Sequence, residues 1–491
     1  MRLRASRFDL WCNSWWNLGF FMSEETWHRA RIIPTSGIGG PEEQERRATS
    51  ALMAVMSVVP DFSKALLGPL GAPAGSPATY IEVPFDLAEK RVIPDGLIRL
   101  RRGSREWTAL VEVKTGKNLL ETGQLERYLD VAKAEGFDAL LTISNEIPPI
   151  PGQHPTSVDK RKLRKVAMHH WSWSFVLSTA IVQKEHRGVS DPEQAWILGE
   201  LIRYLEHERS GALELEDMGQ NWVTVREAVT SGTLRANDRT ATEVVSRFDA
   251  LLRYASLRLG QRLGTDVTQQ LTRAELANPA QRISSQIASL VQTGELSGTI
   301  RIPNAAAPVV VVADLRANQV HCHIDVEAPK DGRSTTRVNW LLRQMKRANP
   351  DVRVESFATH ARAGDAELLK TVREDPKLLA PTSGKEIRSF RIVQTAQLGA
   401  KRGRGRGAFI DPVLNNLDAF YGDVVQHIKP WTATPPKLRE PDIPVESPVE
   451  ITSTDISSQD GPDETDDQQG QTPAPEQAAD RQVRSPSSHI E

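Results

Sequence analysis

The chain has 491 residues, 39% hydrophobic and 25% charged, a balance that fits a soluble globular protein with room for two or three domains. Its two cysteines, Cys12 and Cys322, cannot build a disulfide framework, and no run approaches the ~18 apolar residues of a membrane span, so a reducing cytoplasm is expected and a membrane is not an expected partner. The net charge of −2 conceals an asymmetry: residues 437–491 hold 4 basic and 13 acidic residues against 57 and 50 in the preceding 436, leaving a mildly basic body suited to a polyanion.

Residues 1–40 read as an N-terminal extension. Arg2, Arg4 and Arg7 precede an aromatic stretch faintly like a secretory signal. Asn13, Ser14 and Asn17 interrupt it and no small-residue cleavage pattern follows, so a start at Met22 is the simpler expectation. A helix is predicted from Pro41, with Glu42 and Glu43 at its positive end and Ala48, Leu52, Val55, Met56 and Val59 as its apolar stripe, until Pro60 stops it. Glu45 projects from that stripe, either as a dipole carboxylate or as an acid reaching a site across the sheet.

Three strands follow, Tyr80–Phe85, Val92–Arg101 and Trp107–Thr115, and their short polar turns imply an antiparallel meander. A helix over Leu119–Glu135, stopped by Gly136, leads to a buried strand at Ala139–Ser144. Alternation from Trp107 puts Trp107, Ala109, Val111 and Val113 on one face and Thr108, Leu110, Glu112 and Lys114 on the other. A buried strand ending in a carboxylate and an ammonium is poor core material. It suits a place where a divalent metal meets a phosphate.

Lys160, Arg161 and Lys162 open a basic run that is either a solvated face or a phosphate-contacting patch. His169 and His170, adjacent, read as structural or phosphate-proximal and not as a metal pair. Asp191 caps a helix to about Glu208, and a longer one carries Ala241, Val245, Phe248, Leu252, Ala255 and Leu259 as a seam, for an internal bundle or a dimer. Beyond residue 298 come a strand pair, Val309–Asp314 and Val320–Val326, and a basic helix around Trp340. His321, His323 and Asp325 share a strand face, as zinc ligands or as a plain polar surface; no further clustered ligand supports zinc. Arg402, Arg404 and Arg406 lie in a glycine-rich basic loop that suits nucleic acid better than a phosphate cradle. Residues 432–491 have the composition of a disordered acidic tail.

The expected divisions are therefore 1–40, an α/β domain over 41–188, a helical region over 189–297, an α+β domain over 298–431 and the tail over 432–491. Within the second, Pro94-Asp95, sixteen intervening residues and Glu112-Val113-Lys114 fall into a helix–strand–strand–strand–helix–strand order. This resembles the PD-(D/E)XK nuclease superfamily and its αβββαβ restriction-endonuclease-like core. Gln124 and Tyr128, four apart on the next helix, resemble the Gln-x-x-x-Tyr motif of RecB-like members. The resemblance covers about 105 residues.

It implies a metal-dependent nuclease, a Mg2+- or Mn2+-requiring deoxyribonuclease, acting in restriction or antiphage defence or in DNA repair. Asp95, Glu112 and the backbone carbonyl of Val113 would supply metal oxygens, Lys114 would orient water and balance charge, and Glu45 would be the first-helix acid. Gln124 and Tyr128 would position the phosphate or the metal-bound water, and Lys117 would contact the backbone. The competing expectation is a nucleic-acid-binding scaffold or sensor that keeps the fold without turnover. Homodimerisation or partner proteins are compatible with either.

Overall fold

The computed structural model describes residue 33 and residues 39–433, apart from 88, 89, 149, 151, 213, 382 and 383. The expected start at Met22 and the acidic tail beyond 433 lie outside the described residues. The first sheet is entered through α1 (Pro41–Val58). Pro60 ends that helix as expected, but it also opens α2 (Pro60–Leu67), turned by 109°. A proline forbids continuation of a helix yet fits the first turn of a new one.

The first two strands are shorter than predicted, for local reasons, while the third keeps its length but starts at Arg105 and the fourth is found as expected. β1 (Ala78–Ile81) stops where Glu82 takes a positive φ of 52°, a conformation that breaks the ladder. The chain then forms a separate hairpin, β2 (Phe85–Leu87) and β3 (Lys90–Val92). Pro94, without an amide hydrogen, separates that hairpin from β4 (Gly96–Arg102). β5 (Arg105–Val113), α3 (Thr122–Glu135), β6 (Ala139–Ser144), β7 (Ala167–Ser172), α4 (Trp173–Ile181) and α5 (Pro192–Leu205) follow.

The sheet order is β1-β4-β5-β6-β7. β1, β4 and β5 are the expected antiparallel meander, and β6 and β7 extend it in parallel. Every residue from Trp107 to Val113 is buried, because both faces are covered. Trp107, Ala109, Val111 and Val113 pack towards α1, α2, α4 and α5. Leu97 and Leu110 pack towards α3 and the hairpin. By alternation Glu112 belongs to the α3 face, where an apolar side chain would otherwise sit.

The second half is built on an antiparallel sheet of seven strands, in the order β13-β12-β14-β11-β10-β9-β8. In chain order it comprises α6 (Trp222–Thr230), α7 (Arg239–Leu263), β8 (Thr268–Gln270), α8 (Arg273–Ala277), α9 (Pro279–Gln292), β9 (Glu295–Arg301), β10 (Val309–Asp314) and β11 (Gln319–Glu327). Then come α10 (Ser334–Gln344), β12 (Arg353–Ala358), β13 (Asp365–Leu368), α11 (Leu369–Glu374), β14 (Ile387–Gln397) and α12 (Ile410–Asp423). The molecule is thus mixed α/β.

The α7 seam is consumed internally. Ala241, Val245, Phe248, Leu252, Ala255 and Leu259 share a core with Val311, Ile324 and Ile392 of the second sheet, so the helix lies on a sheet and presents no dimer seam. It lies so close that a Cβ on Gly298 would collide with Leu252. The segment 189–297 is accordingly no separate helical body: α5 joins the first core, and α6, α7 and α9 join the second. Ile147 apart, which packs in the second core, the cores change over between Leu205 and Leu215.

Candidate active site

Four of the sequence-predicted residues converge at one end of the first sheet. Asp95 precedes β4, and its Oδ2 accepts the Val113 N–H at 2.7 Å, which fixes the carboxylate against the end of β5. Lys114, just past β5, is held between two acids. Its Nζ lies 2.7 Å from Glu112 Oε1 and 2.9 Å from Glu45 Oε1 on α1. Asn118 Nδ2 donates to the other Glu45 oxygen at 3.4 Å. Asp95 and Glu45, with Glu42, Arg46, Thr49, Ile81 and Glu82, line a cleft of about 160 Å3. Glu112 is fully buried.

The electrostatics follow from that crowding. Burial pushes the Asp95 carboxyl above its usual range, opposed by the Val113 N–H and the Lys114 charge. Glu112 is pushed up to about 8, first by burial and then by the Asp95 charge, against the pull of Lys114. Burial draws the Lys114 ammonium down, but Glu112 and Glu45 outweigh it, and its pKa ends above the ordinary lysine value. Neither Glu112 oxygen receives a hydrogen bond of good geometry, although Oε1 is in ion-pair range of Lys114. A buried carboxylate without full donors is costly unless a cation stands near it.

This donor set fits one type of metal. Among the described residues no three His, Cys, Asp or Glu side chains form a ready-made cage. Two carboxylates beside a cleft suit a hard cation that keeps most of its waters, Mg2+ or Mn2+, and do not suit structural zinc.

Gln124 and Tyr128 are brought to the same place. Gln124 Nε2 donates to Tyr128 OH at 3.0 Å, and Tyr128 OH donates to the Ile93 carbonyl at 3.3 Å, two residues before Asp95. Burial, and then the Glu112 charge, raises the Tyr128 pKa, so the phenol stays a neutral donor. Lys117 is exposed on the loop after Lys114 and lines a second groove with Arg247 and Arg402.

The remaining basic candidates are largely committed elsewhere. Arg161 pairs with Asp159 and Lys162 with Asp130, while Lys160 is exposed. Arg402 pairs with Asp217, and Arg404 with Glu214 and Asp411; Arg406 is exposed. On β11, His321 and His323 do share a face, with rings stacked 6.0 Å apart, but Asp325 is held by Arg391 through two hydrogen bonds at 2.7 and 2.9 Å. With its carboxylate taken, that trio is not assembled as a metal site.

Several supporting residues escaped the sequence reading. Asn145, just past β6, donates to the carbonyls of Gly116 and Gly211 at 2.9 and 2.7 Å, and the Gly116 N–H donates to the Gly211 carbonyl at 2.9 Å. Gln44, beside Glu45, accepts from the Thr115 hydroxyl at 3.2 Å and donates to the Arg209 carbonyl at 3.0 Å. Trp173 Nε1 donates to the Lys114 carbonyl at 2.9 Å. Thr142, next to Glu112 in the β5–β6 register, has its hydroxyl 2.7 Å from His154 Nε2 and 2.8 Å from His170 Nδ1. These partners lie up to 165 residues apart, and no local motif announces them. Compared with known protein families, with curated proteins and with solved structures, the chain matches none.

Proposed function

We propose that the chain is a metal-dependent nuclease, a Mg2+- or Mn2+-requiring phosphodiesterase acting on DNA, with a PD-(D/E)XK, restriction-endonuclease-like domain over residues 41–188. The observation that carries this reading is the meeting of Asp95, Glu112 and Glu45 around the Lys114 ammonium, at the mouth of a cleft, with the Glu112 carboxylate buried and short of donors. A divalent cation bound there would neutralise the scissile phosphate and acidify a water.

The chain's own residues supply the rest. Asp95 and Glu112, with the Val113 carbonyl, are the oxygens that would hold the cation. Asp95 is locked by the Val113 N–H, so one carboxylate oxygen is fixed and the other remains for the cleft. Lys114 has three donors; two face Glu112 and Glu45, leaving one for a water or a phosphate oxygen. It counters charge that develops on the phosphate, and its acidic partners keep it protonated. Glu45 orients the ammonium, and Gln124, which gives one amide hydrogen to Tyr128, keeps the other as a neutral donor for an oxygen nearby. A role in defence or in repair is compatible with such chemistry.

The test is cleavage of circular, linear and single-stranded DNA and of RNA with Mg2+ or Mn2+ by wild type, Asp95→Ala and Lys114→Ala. Cleavage by wild type alone supports the reading. Activity surviving in folded, pure Asp95→Ala removes it, and nucleic-acid binding without metal-dependent cleavage favours the scaffold.

A further inference from the structure

A second cavity lies against the same sheet face as the catalytic carboxylates. Asp95 just before β4 and Leu97 and Arg99 within it alternate, as do Thr108, Leu110 and Glu112 along β5. Leu97, Arg99 and Thr108 line a groove of about 610 Å3 that Tyr80, Val83, Phe85 and Phe137 complete. Three aromatic rings, Tyr80, Phe85 and Phe137, line one part of the groove. Phe85 and Phe137 meet edge to face with centroids 5.7 Å apart, and Tyr80 is 46% exposed. Its rim is net acidic: Glu106, Glu135 and Asp138 stand against Arg99, which pairs with Glu106 at 3.3 Å, while Asp138 accepts the Thr108 N–H at 2.8 Å.

The groove and the catalytic cleft flank one short stretch of chain. Ile81 and Glu82 line the cleft, whereas Tyr80 and Val83 line the groove. The Glu82 N–H donates to the Asp95 carbonyl at 3.1 Å, so the stretch is fastened to the catalytic aspartate. A strand is about 5 Å wide, less than one nucleotide step of an extended single strand. Bases in a duplex are stacked and paired, and their faces cannot enter an aromatic groove; unpaired bases can, and aromatic side chains hold them with little regard to sequence.

We propose that this groove binds unpaired nucleobases, so that the nuclease takes a single strand, or a frayed end, with the phosphate at Asp95 and a neighbouring base against Tyr80, Phe85 and Phe137. This rests on the nuclease reading for its substrate. Charge complementarity is not the attraction, since the acids of the lining outnumber its one arginine. The occupant is a neutral, flat, apolar-faced group carried on a phosphate chain.

The test uses the full chain in EDTA, so that binding is read without cleavage. Fluorescence anisotropy would compare a 12-nucleotide single strand with a 12-base-pair duplex, for wild type and for Tyr80→Ser, whose exposed side chain can be removed without opening the core. The expected result is tighter binding of the single strand, a roughly ten-fold loss in Tyr80→Ser and no change for the duplex. Photocross-linking of a 5-iodouracil oligonucleotide should mark the peptides holding Tyr80, Phe85 or Phe137. Equal affinity for both forms, no binding by either, or a Tyr80→Ser affinity equal to wild type overturns the proposal. The two readings separate: Tyr80-dependent binding without metal-dependent cleavage removes the nuclease alone, and cleavage with no role for Tyr80 removes the groove alone.

Discussion

Glu45 and Lys114 stand 69 residues apart in the chain and 2.9 Å apart in the fold. The helix that opens the first sheet thus closes on the residue that ends its longest strand. The contact sets the direction of the ammonium, because Glu112 alone would leave it free to swing towards solvent. Glu45→Gln keeps the shape and removes the charge. On the proposed reading it lowers kcat about ten-fold or more with little change in metal affinity. Metal titrations and single-turnover rates separate those two effects, and a pure loss of metal binding would make Glu45 a ligand instead.

Glu112 is a stability liability without a cation. Its native pKa of about 8 lies above the unfolded value of 4.5, so above pH 4.5 the unfolded chain releases a proton that the native one keeps. Native stability from this group therefore falls as pH rises from 4.5 to 8. Glu112→Gln should stabilise the metal-free protein by ~3 kcal/mol at pH 7 and by almost nothing at pH 4.5, and on the proposed reading it abolishes cleavage. Urea unfolding at the two pH values reads it; a gain independent of pH would place its cause outside this titration.

The histidines around Thr142 act in the opposite direction. Burial lowers His154 to about 4 and His170 to about 3, below the ordinary 6.5. Between those values the unfolded chain binds protons that the native one refuses, so stability is present above pH 6.5 and is lost as pH falls towards 4. The pair should cost about 4 kcal/mol between pH 7 and pH 5, about half from each ring. His170→Gln should flatten that slope in denaturant titrations, and an unchanged slope would assign acid lability to other groups.

Asn145 is a positioning residue for the loop that follows Lys114. Its amide clamps the Gly116 and Gly211 carbonyls, and through Gly211 it ties the loop to the segment leading into the second half. On the proposed reading Asn145→Ala lowers kcat about ten-fold and leaves KM and metal affinity near wild type. A loss confined to KM would make it a substrate contact. Gly211→Ala tests the same joint by strain: φ is +76°, and a Cβ would stand 2.8 Å from Thr115 Cβ, so ~2 kcal/mol of stability should be lost.

The basic loop is restrained by its own acids. Glu214→Gln and Asp217→Asn together loosen Arg404 and Arg402, leaving Asp411 on Arg404. If the loop meets nucleic acid, affinity should rise and the salt slope of log K should steepen by about one to two. Measured between 50 and 200 mM salt, an unchanged slope would remove the loop from the contact surface.

The alternation Trp107 to Val113 determined by itself which side chains of β5 face α1 and which face α3, because a strand's period of two is fixed by backbone geometry. The Pro94-Asp95 and Glu112-Val113-Lys114 pairing, the α1 stripe and the Gly136 stop were legible for the same reason: each is decided within a few residues. The split at Glu82, the second role of Pro60 and β7 were not, since a single backbone torsion and a parallel pairing leave no local pattern. Tertiary structure alone decided that the α7 seam lies on the second sheet and that Asp325 is spent on Arg391. It alone put Asn145, Gln44 and Trp173 around the loop after Lys114. Those contacts join residues distant in sequence, and which apolar face or charge a side chain meets is settled only when the whole chain has packed.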